Sequence, residues 1–242
     1  MTEPSSLHSF LQAEANSRAR EFMLTSRVAH DLMIAAATRN YALLAYYPTV
    51  DSDGFDLIVD DRDRTCMLQL KSFLAGGKAT RWAIHRKLLR PTLLEIEWFG
   101  FEPSATGEGR GGGVLLIEAE VKDSTVWLKY RYTDICILTA FWMGLIPLQG
   151  NSIKTINALR NRLAAEPGGS VDLPKTAFLE ARSPEHLLAL MGLHSRHSHS
   201  VWPGLLIRLA RHEYEGKPLA PSSKDVIRNL ISEELKKLAV LP

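Results

Sequence analysis

Two β-like runs joined by a short charged segment constrain the fold of this chain more than any other feature, and they lie between residues 53 and 72. The first run is FDLIVDD, the charged segment is DRDR and the second run is TCMLQLKS. Apolar runs bounded by charged turn residues are typical of neighbouring β-strands, so this segment predicts a hairpin. Asp56 lies at the head of the first run, and Gln69 and Lys71 lie near the end of the second.

The polar residues of this hairpin share a face. Side chains alternate along a strand, so Gln69 and Lys71 point to one side, and pairing with the first run can bring Asp56 alongside them. That side would carry a carboxylate, an amide oxygen and an ammonium. One interpretation is an ordinary hairpin whose polar residues face water. The other is a metal site that cuts a phosphodiester bond.

A helix and a further strand precede the hairpin. Residues 19–39 carry apolar side chains at spacings that suit one face of a helix. These are Phe22, Met23, Val28, Leu32, Met33 and Ala36. The run YALLAYYP, residues 41–48, predicts a short buried strand closed by Pro48. The predicted order is therefore helix, strand, strand, strand.

The rest of the chain divides into a mixed part and a helical part. WAIHRKLL fits a strand or a short helix, VLLIEAEVKDSTVWLKYRY predicts a hairpin that turns at KDST, and TDICILTAF fits a buried helix or strand. From Asn151 onward the patterns are helical, with Ser152 and Ser183 as N-caps. We predict an α/β (α+β) fold with a mixed central β-sheet flanked by helices in residues 1–150, followed by a helical C-terminal region in residues 151–242.

The order of these elements, with Asp56 at the head of the second strand and the triplet Gln69-Leu70-Lys71 in the third, resembles the PD-(D/E)xK phosphodiesterase superfamily, the restriction-endonuclease-like nucleases. The resemblance covers about residues 19 to 75. It implies a restriction-endonuclease-like core and a metal-dependent nuclease that acts on DNA, in defence against foreign DNA or in repair. The chain departs from the commoner pattern because Gln69 stands where many members have Glu.

The resemblance also implies a Mg²⁺ or Mn²⁺ cofactor. Asp56 would supply a hard anionic oxygen, and Gln69 could add its neutral carbonyl oxygen. Lys71 would orient the attacking water or neutralise the transition state. Many members carry an acidic residue or a histidine on the first helix that completes the metal shell. His30 corresponds best to that position and Glu21 is another acidic residue of the helix, although a surface or core histidine is an equal alternative.

A second register of the same motif lies in IEAEVKDS, which contains Glu118, Glu120 and Lys122. A glycine-rich segment precedes it, without a strand-borne aspartate, and Lys122 falls at the expected turn. We therefore prefer the register of Asp56, and interpret the second as the solvated face of a hairpin. The segment HSRHSH, with His194, His197 and His199, lacks a suitably spaced cysteine or acidic partner for zinc and is interpreted as a polar loop.

The most basic stretch is KATRWAIHRKLLR, residues 78–90, directly after the third predicted strand. We predict that it contacts a nucleic-acid backbone, with an aromatic ring for stacking. The predicted DNA-binding residues are Lys78, Arg81, Trp82, Arg86 and Lys87. A solvated basic face is the alternative.

Composition sets broad limits on the class of protein. The 29 basic and 27 acidic side chains give a formal charge of +2, too near neutral to indicate a nucleic-acid partner by itself. Cys66 and Cys136 lie in apolar runs, which suits buried free thiols in a reducing compartment. Since no stretch resembles a secretory signal or a membrane span, we predict a cytoplasmic protein without a membrane partner. The sequence leaves open whether it forms a homodimer.

Two further functions stay open at this point. A restriction-endonuclease-like fold that has lost catalysis would serve as a nucleic-acid or protein-binding module. If the motif is accidental, the chain is an unrelated α/β interaction protein. A shared cleft for Asp56, Gln69 and Lys71 would favour a site, and scattered side chains would exclude one.

Overall fold

A computed structural model describes residues 6–49, 54–92, 95–103, 109–122, 124–148, 150–165, 169–193, 201–216 and 221–241. The helices are α1 (Ser6–Gln12), α2 (Ser17–Thr38), α3 (Arg86–Leu89), α4 (Ile135–Trp142), α5 (Asn151–Ala164), α6 (Pro184–Leu190), α7 (Trp202–Tyr214) and α8 (Pro221–Leu238). The strands are β1 (Leu44–Tyr46), β2 (Leu57–Asp60), β3 (Thr65–Leu74), β4 (Arg81–His85), β5 (Gly113–Lys122), β6 (Thr125–Asp134), β7 (Ser170–Pro174), β8 (Leu179–Ala181) and β9 (Ala239–Val240).

A seven-stranded mixed sheet forms the centre, in the order β1-β2-β3-β5-β6-β8-β9. The β3 and β5 strands run parallel, and every other neighbouring pair is antiparallel. The prediction of a mixed central sheet flanked by helices is confirmed. A smaller sheet pairs β4 with β7.

The predicted hairpin at residues 55–72 is present as β2 and β3, with Leu57 opposite Leu68. Aspartates build its turn, because short carboxylates accept hydrogen bonds from backbone N–H groups nearby. The Asp61 Oδ1 atom accepts from Asp63 N at 2.9 Å and from Arg64 N at 2.6 Å. The DRDR segment is therefore a turn fixed by its own side chains.

One face of the sheet packs against α2. Tyr130, on the same face of the sheet as Leu70, donates from its hydroxyl to Asp31 Oδ2 on this helix at 2.6 Å. The predicted helix at 19–39 is confirmed, but its buried side is not the predicted one, because Phe22, Met23 and Met33 are exposed. The buried residues of α2 are Leu24, Thr25, Val28, Ala29, Leu32, Ala35 and Ala36.

The region expected to be helical, residues 151–242, also contributes strands to both sheets. Its β8 strand pairs with β6, its β9 strand pairs with β8, and its β7 strand pairs with β4. The hairpin predicted at 114–132 is present as β5 and β6, and TDICILTAF contains the buried helix α4, capped by Asp134. Among the helices that the structure describes, none is both long and apolar enough to cross a membrane.

Candidate active site at the end of the β2–β3 hairpin

Asp56 lies immediately before β2, where its backbone N–H donates to Leu68 O at 2.7 Å. The β2–β3 pairing begins with Leu57 opposite Leu68, so Asp56 lies just outside it, beside residues 68–70 of β3. The Asp56 Oδ2 atom accepts a hydrogen bond from Leu70 N at 2.6 Å. The carboxylate is therefore oriented by the backbone of the strand that carries the Gln69-Leu70-Lys71 triplet.

Gln69 is only 9% exposed, and its amide connects two strands of different sheets. Its Oε1 atom accepts from His85 N at 3.1 Å, which ties β3 to the end of β4. Gly54, with a φ of +80°, completes this contact, because a Cβ at this position would lie 2.6 Å from His85 Cβ. The Gln69 oxygen, which was predicted to bind a metal ion, therefore already accepts a hydrogen bond from a backbone N–H.

His85 also lies next to Gln69 and Gly54. The sequence pattern indicated no role for this residue beyond its place in the basic stretch. Its Nδ1 atom is buried and has no hydrogen-bond partner within the described part of the chain. A pattern along the chain could not identify it, because β4 pairs with β7 and reaches Gln69 only through the packing of the two sheets. Asp56, Gln69 and His85 therefore come together from three separate segments.

Lys71 is half-buried and lies two residues beyond Gln69, where β3 pairs with β5. Alternation places its side chain on the face of Gln69. A cavity of about 230 Å³ lies where Leu70, Lys71 and Ser72 of β3 meet Arg20 and Glu21 of α2, on the face of Leu70 against which α2 packs. The carboxylate that α2 brings to this cavity is Glu21.

His30, the predicted ligand from the first helix, lies elsewhere. It borders a different cavity, between α2 and β1, and its side chain is 65% exposed with Nδ1 3.5 Å from Asp31 Oδ1. A helix rises 1.5 Å per residue, so His30 is roughly 13 Å along α2 from Glu21. His30 and Glu21 thus border different cavities, and the assignment of His30 as a metal ligand stays a prediction.

The predicted metal shell is only partly compatible with this geometry. Within the described ranges, no group of three or more His, Cys, Asp and Glu side chains is arranged to hold a metal ion. Mg²⁺ is commonly held by one or two carboxylates and keeps several waters, so a full cage is not required. Asp56 supplies one carboxylate, oriented by a backbone N–H, whereas the oxygen of Gln69 already accepts from His85 N and Glu21 borders a cavity at α2.

The predicted DNA-binding residues separate into exposed and buried members. Lys78 and Arg81 are exposed, while Arg86 and Lys87 are half-buried. Trp82 is only 8% exposed, because its ring packs against Phe73 at 5.5 Å and Phe178 at 6.1 Å between ring centroids. The prediction that Trp82 stacks on a base is thus contradicted by its burial, since it belongs to the core between the two sheets.

The second register of the motif forms ion pairs rather than a site. Lys122 Nζ lies 3.0 Å from Glu120 Oε1 at the end of the β5–β6 hairpin. Arg131 on β6 donates to both Glu118 on β5 and Glu180 on β8. Burial alone would raise the pKa of Glu118, but the hydrogen bond and charge of Arg131 outweigh burial and hold this pKa below its ordinary value.

Both cysteines are buried free thiols, as predicted. Burial raises the pKa of Cys66 to about 11, and Cys66 Sγ lies 3.8 Å from the Tyr132 hydroxyl. Burial also raises the pKa of Asp134, which caps α4 by accepting from Ile137 N at 2.8 Å. Thiols of this kind are inert because the thiolate is the reactive form.

The histidine segment at 194–199 lies outside the described residues, so its interpretation stays a prediction.

Comparison of the chain with protein-family models, with curated proteins and with solved structures finds no match. The function must therefore be inferred from the geometry of the site.

Proposed function

We propose that this protein is a metal-dependent nuclease with a restriction-endonuclease-like core that hydrolyses phosphodiester bonds in DNA. The observation that carries the proposal is the hydrogen bond from Leu70 N to Asp56 Oδ2, which holds the carboxylate before β2 against the β3 segment that carries Gln69 and Lys71. Helices α1 and α2 and strand β1 precede this pair, so the order helix, strand, strand, strand begins at α2. This order and the oriented carboxylate of Asp56 support the proposal.

Each side chain has a separate task in this proposal. Asp56 is held toward the end of the hairpin by Leu70 N, and Glu21 presents a second carboxylate at the cavity bordered by Lys71. Lys71 orients the attacking water and offsets the negative charge that develops on the phosphate. Mg²⁺ or Mn²⁺, held by the two carboxylates, would lower the pKa of a bound water and stabilise the same charge.

Gln69 supports the site by positioning rather than by binding the ion. Its oxygen accepts from His85 N, so the amide fixes the end of β4 next to Asp56. Ligand-orienting hydrogen bonds of this kind are common around metal sites. The exposed Lys78 and Arg81, before and at the start of β4, are then available for phosphate contacts near the cleft.

The alternative function is a restriction-endonuclease-like fold that binds nucleic acid or protein without cleaving it. The engaged oxygen of Gln69 favours this alternative, because the commoner acidic ligand is missing and the amide is used for packing. DNA cleavage separates the two functions. DNA binding without cleavage would support the alternative, and a protein that neither binds nor cleaves DNA would leave only the protein-binding module.

The test is incubation of the purified protein with single-stranded, duplex and branched DNA, with Mg²⁺ or Mn²⁺ and with EDTA. We expect cleavage that EDTA abolishes. Lys71→Ala and Asp56→Asn should each lower the rate by about 100-fold or more while the fold is retained, since loss of one charge-stabilising group costs on the order of 10² to 10³. Cleavage that survives Lys71→Ala would exclude this site.

Glu21→Gln and His30→Ala form a matched pair on the same helix. We expect Glu21→Gln to weaken Mn²⁺ binding and cleavage, and His30→Ala to leave both unchanged, because only Glu21 borders the cavity of Lys71. Calorimetric titration with Mn²⁺ measures the binding. The opposite ranking of the two variants would restore His30 as the ligand.

A further inference from the structure

A second cavity, of about 410 Å³, lies where α4, α5, α7 and α8 approach the turn at residues 95–100. Its volume is within the range of roughly 300 to 1,000 Å³ that is typical of small-molecule sites. None of the residues around it belongs to the candidate active site. The cavity gives the helices of the second half of the chain a surface of their own to which a ligand could bind.

Aromatic rings form part of its wall. Trp98 and Trp142 are half-buried, and Tyr214 is half-exposed at the rim. The indole of Trp142 is fixed by a hydrogen bond from its Nε1 to Ile156 O at 3.2 Å. Guanidinium groups of Arg160 and Arg211 cover one face of Trp142 and of Trp98, so a planar ligand would contact the remaining aromatic surface.

Two guanidinium groups face the same space. Arg160 lies over the ring of Trp142, with 5.2 Å between Cζ and the ring centroid, and Arg228 donates one hydrogen bond to Met143 O at 2.5 Å. A guanidinium carries five N–H donors, and within the described ranges neither arginine is paired with a carboxylate. Both therefore retain donors for an anion.

The acidic residues of the wall are already engaged. Glu213 Oε1 lies 2.7 Å from Lys224 Nζ, and the Tyr214 hydroxyl bonds to Glu97. Lys224 offsets the charge of Glu213, whereas a neutral hydroxyl leaves the charge of Glu97 in place. With Lys224 included, the positive charges of Arg160, Arg228 and Lys224 outnumber the negative charges of Glu97 and Glu213 by one.

We propose that this cavity binds a small aromatic anion of the nucleoside monophosphate class. The base would pack against the remaining aromatic surface of the wall, and Arg160 and Arg228 would bind the phosphate. This site is separate from the candidate active site, and the proposal does not depend on the nuclease activity.

The test uses the full chain and adenosine 5′-monophosphate as the probe, followed by tryptophan fluorescence and calorimetry. We expect saturable binding with a Kd below about 1 mM. Arg160→Gln should raise this Kd about tenfold or more, because a charge-assisted hydrogen bond to the phosphate is lost. Arg211→Gln is the matched control, since Arg211 also lies over a tryptophan, Trp98, but is not part of the cavity wall.

Three results would overturn the proposal: no saturation at millimolar probe, equal affinity for adenosine without its phosphate, or the same effect of Arg160→Gln and Arg211→Gln. Lys71→Ala should bind the probe like the wild type. The outcome is therefore independent of whether the protein cleaves DNA.

Discussion

Gln69 performs a structural task in this fold. The residue is almost fully buried, and its side chain joins β3 of the large sheet to β4 of the small one through His85 N. Gly54 allows the chain before β2 to approach this contact closely. Any change at Gln69 therefore acts on packing between the sheets as well as on the neighbouring carboxylate of Asp56.

Gln69→Glu is expected to destabilise the protein in the absence of metal. A buried carboxylate beside Asp56 would have its pKa raised by burial and by the neighbouring negative charge. The folded state then binds the proton more tightly than the unfolded state, so stability is lost as the pH rises above the ordinary Glu value of about 4.3. We expect a loss of about 1–3 kcal/mol at pH 7 that Mg²⁺ reverses in part, measured by urea unfolding.

Gln12→Glu is the control for this change, because Gln12 is exposed at the end of α1 and should tolerate the charge. A destabilisation of Gln69→Glu that Mg²⁺ does not reduce would show that no ion binds next to Asp56. Full stability of the variant at neutral pH without metal would contradict the burial of this side chain.

Trp82→Ala is expected to lower the free energy of unfolding by about 3–5 kcal/mol, the range for large aromatic residues removed from a core. The reason is its position between Phe73 and Phe178. Arg81→Ala, one residue earlier and exposed, should change stability by less than about 0.5 kcal/mol. Guanidinium unfolding of both variants measures this, and similar small effects would mean that Trp82 is not a core residue.

At the level of elements, three strands of the large sheet are joined by one side chain. Arg131 on β6 binds Glu118 on β5 and Glu180 on β8, and these charged groups are mostly shielded from water. A charged hydrogen bond of this kind contributes more than an exposed ion pair. The link also connects β8, from the second half of the chain, to strands of the first half.

Glu118→Gln should lower stability by about 1–3 kcal/mol at pH 7, because the carboxylate–Arg131 hydrogen bond is lost. The pKa of Glu118 is depressed in the folded state, so the stability that it contributes is present above the unfolded value of about 4.3 and is lost as the pH falls through the lower folded value. The difference between wild type and variant should therefore shrink in acid, as measured by urea unfolding between pH 7 and pH 3.

Glu120→Gln serves as the control on the same strand, since its ion pair with Lys122 is largely exposed and should contribute little. A difference between Glu118→Gln and wild type that does not vary with pH would contradict the depressed pKa of Glu118.

Local patterns predicted the elements whose partners lie nearby in sequence. The α2 helix and the β2–β3 and β5–β6 hairpins follow from periodicity and turn residues, because each hairpin pairs with the next run along the chain. The β8 and β9 strands, three and two residues long, carry too little alternation to be recognised. The contact of Gln69 with His85 was also unpredictable, since it depends on β4 pairing with the distant β7.

The whole molecule depends on both halves of the chain. Strands from residues 151–242 extend the large sheet at β8 and β9 and complete the small sheet at β7. In addition, Arg90 donates to Leu163 O at 2.7 Å, and Ser232 donates to Leu145 O at 2.9 Å. The boundary that the sequence predicts at residue 150 therefore separates strands that pair with one another.

A fragment of residues 1–150 should fail to unfold cooperatively, because β4 and β6 would each lose a partner strand and the core facing α6 would be exposed. Far-ultraviolet circular dichroism during urea unfolding of the fragment and of the full chain measures this. A fragment with a single sharp transition and a native-like spectrum would contradict the prediction and support two independent domains.

The parallel pairing of β3 with β5 has a kinetic consequence. These strands are neighbours in the sheet, yet the chain must pass through β4 and α3 before β5 begins. Such pairing forms slowly, because the chain must close a long loop, at a cost in entropy, before the stabilising contacts between the strands can form. A local hairpin closes in roughly microseconds. We expect amide protons of β2–β3 and β5–β6 to gain protection first during refolding. The docking of the two hairpins along β3 and β5 would then set the folding rate, as pulse-labelled hydrogen exchange can establish.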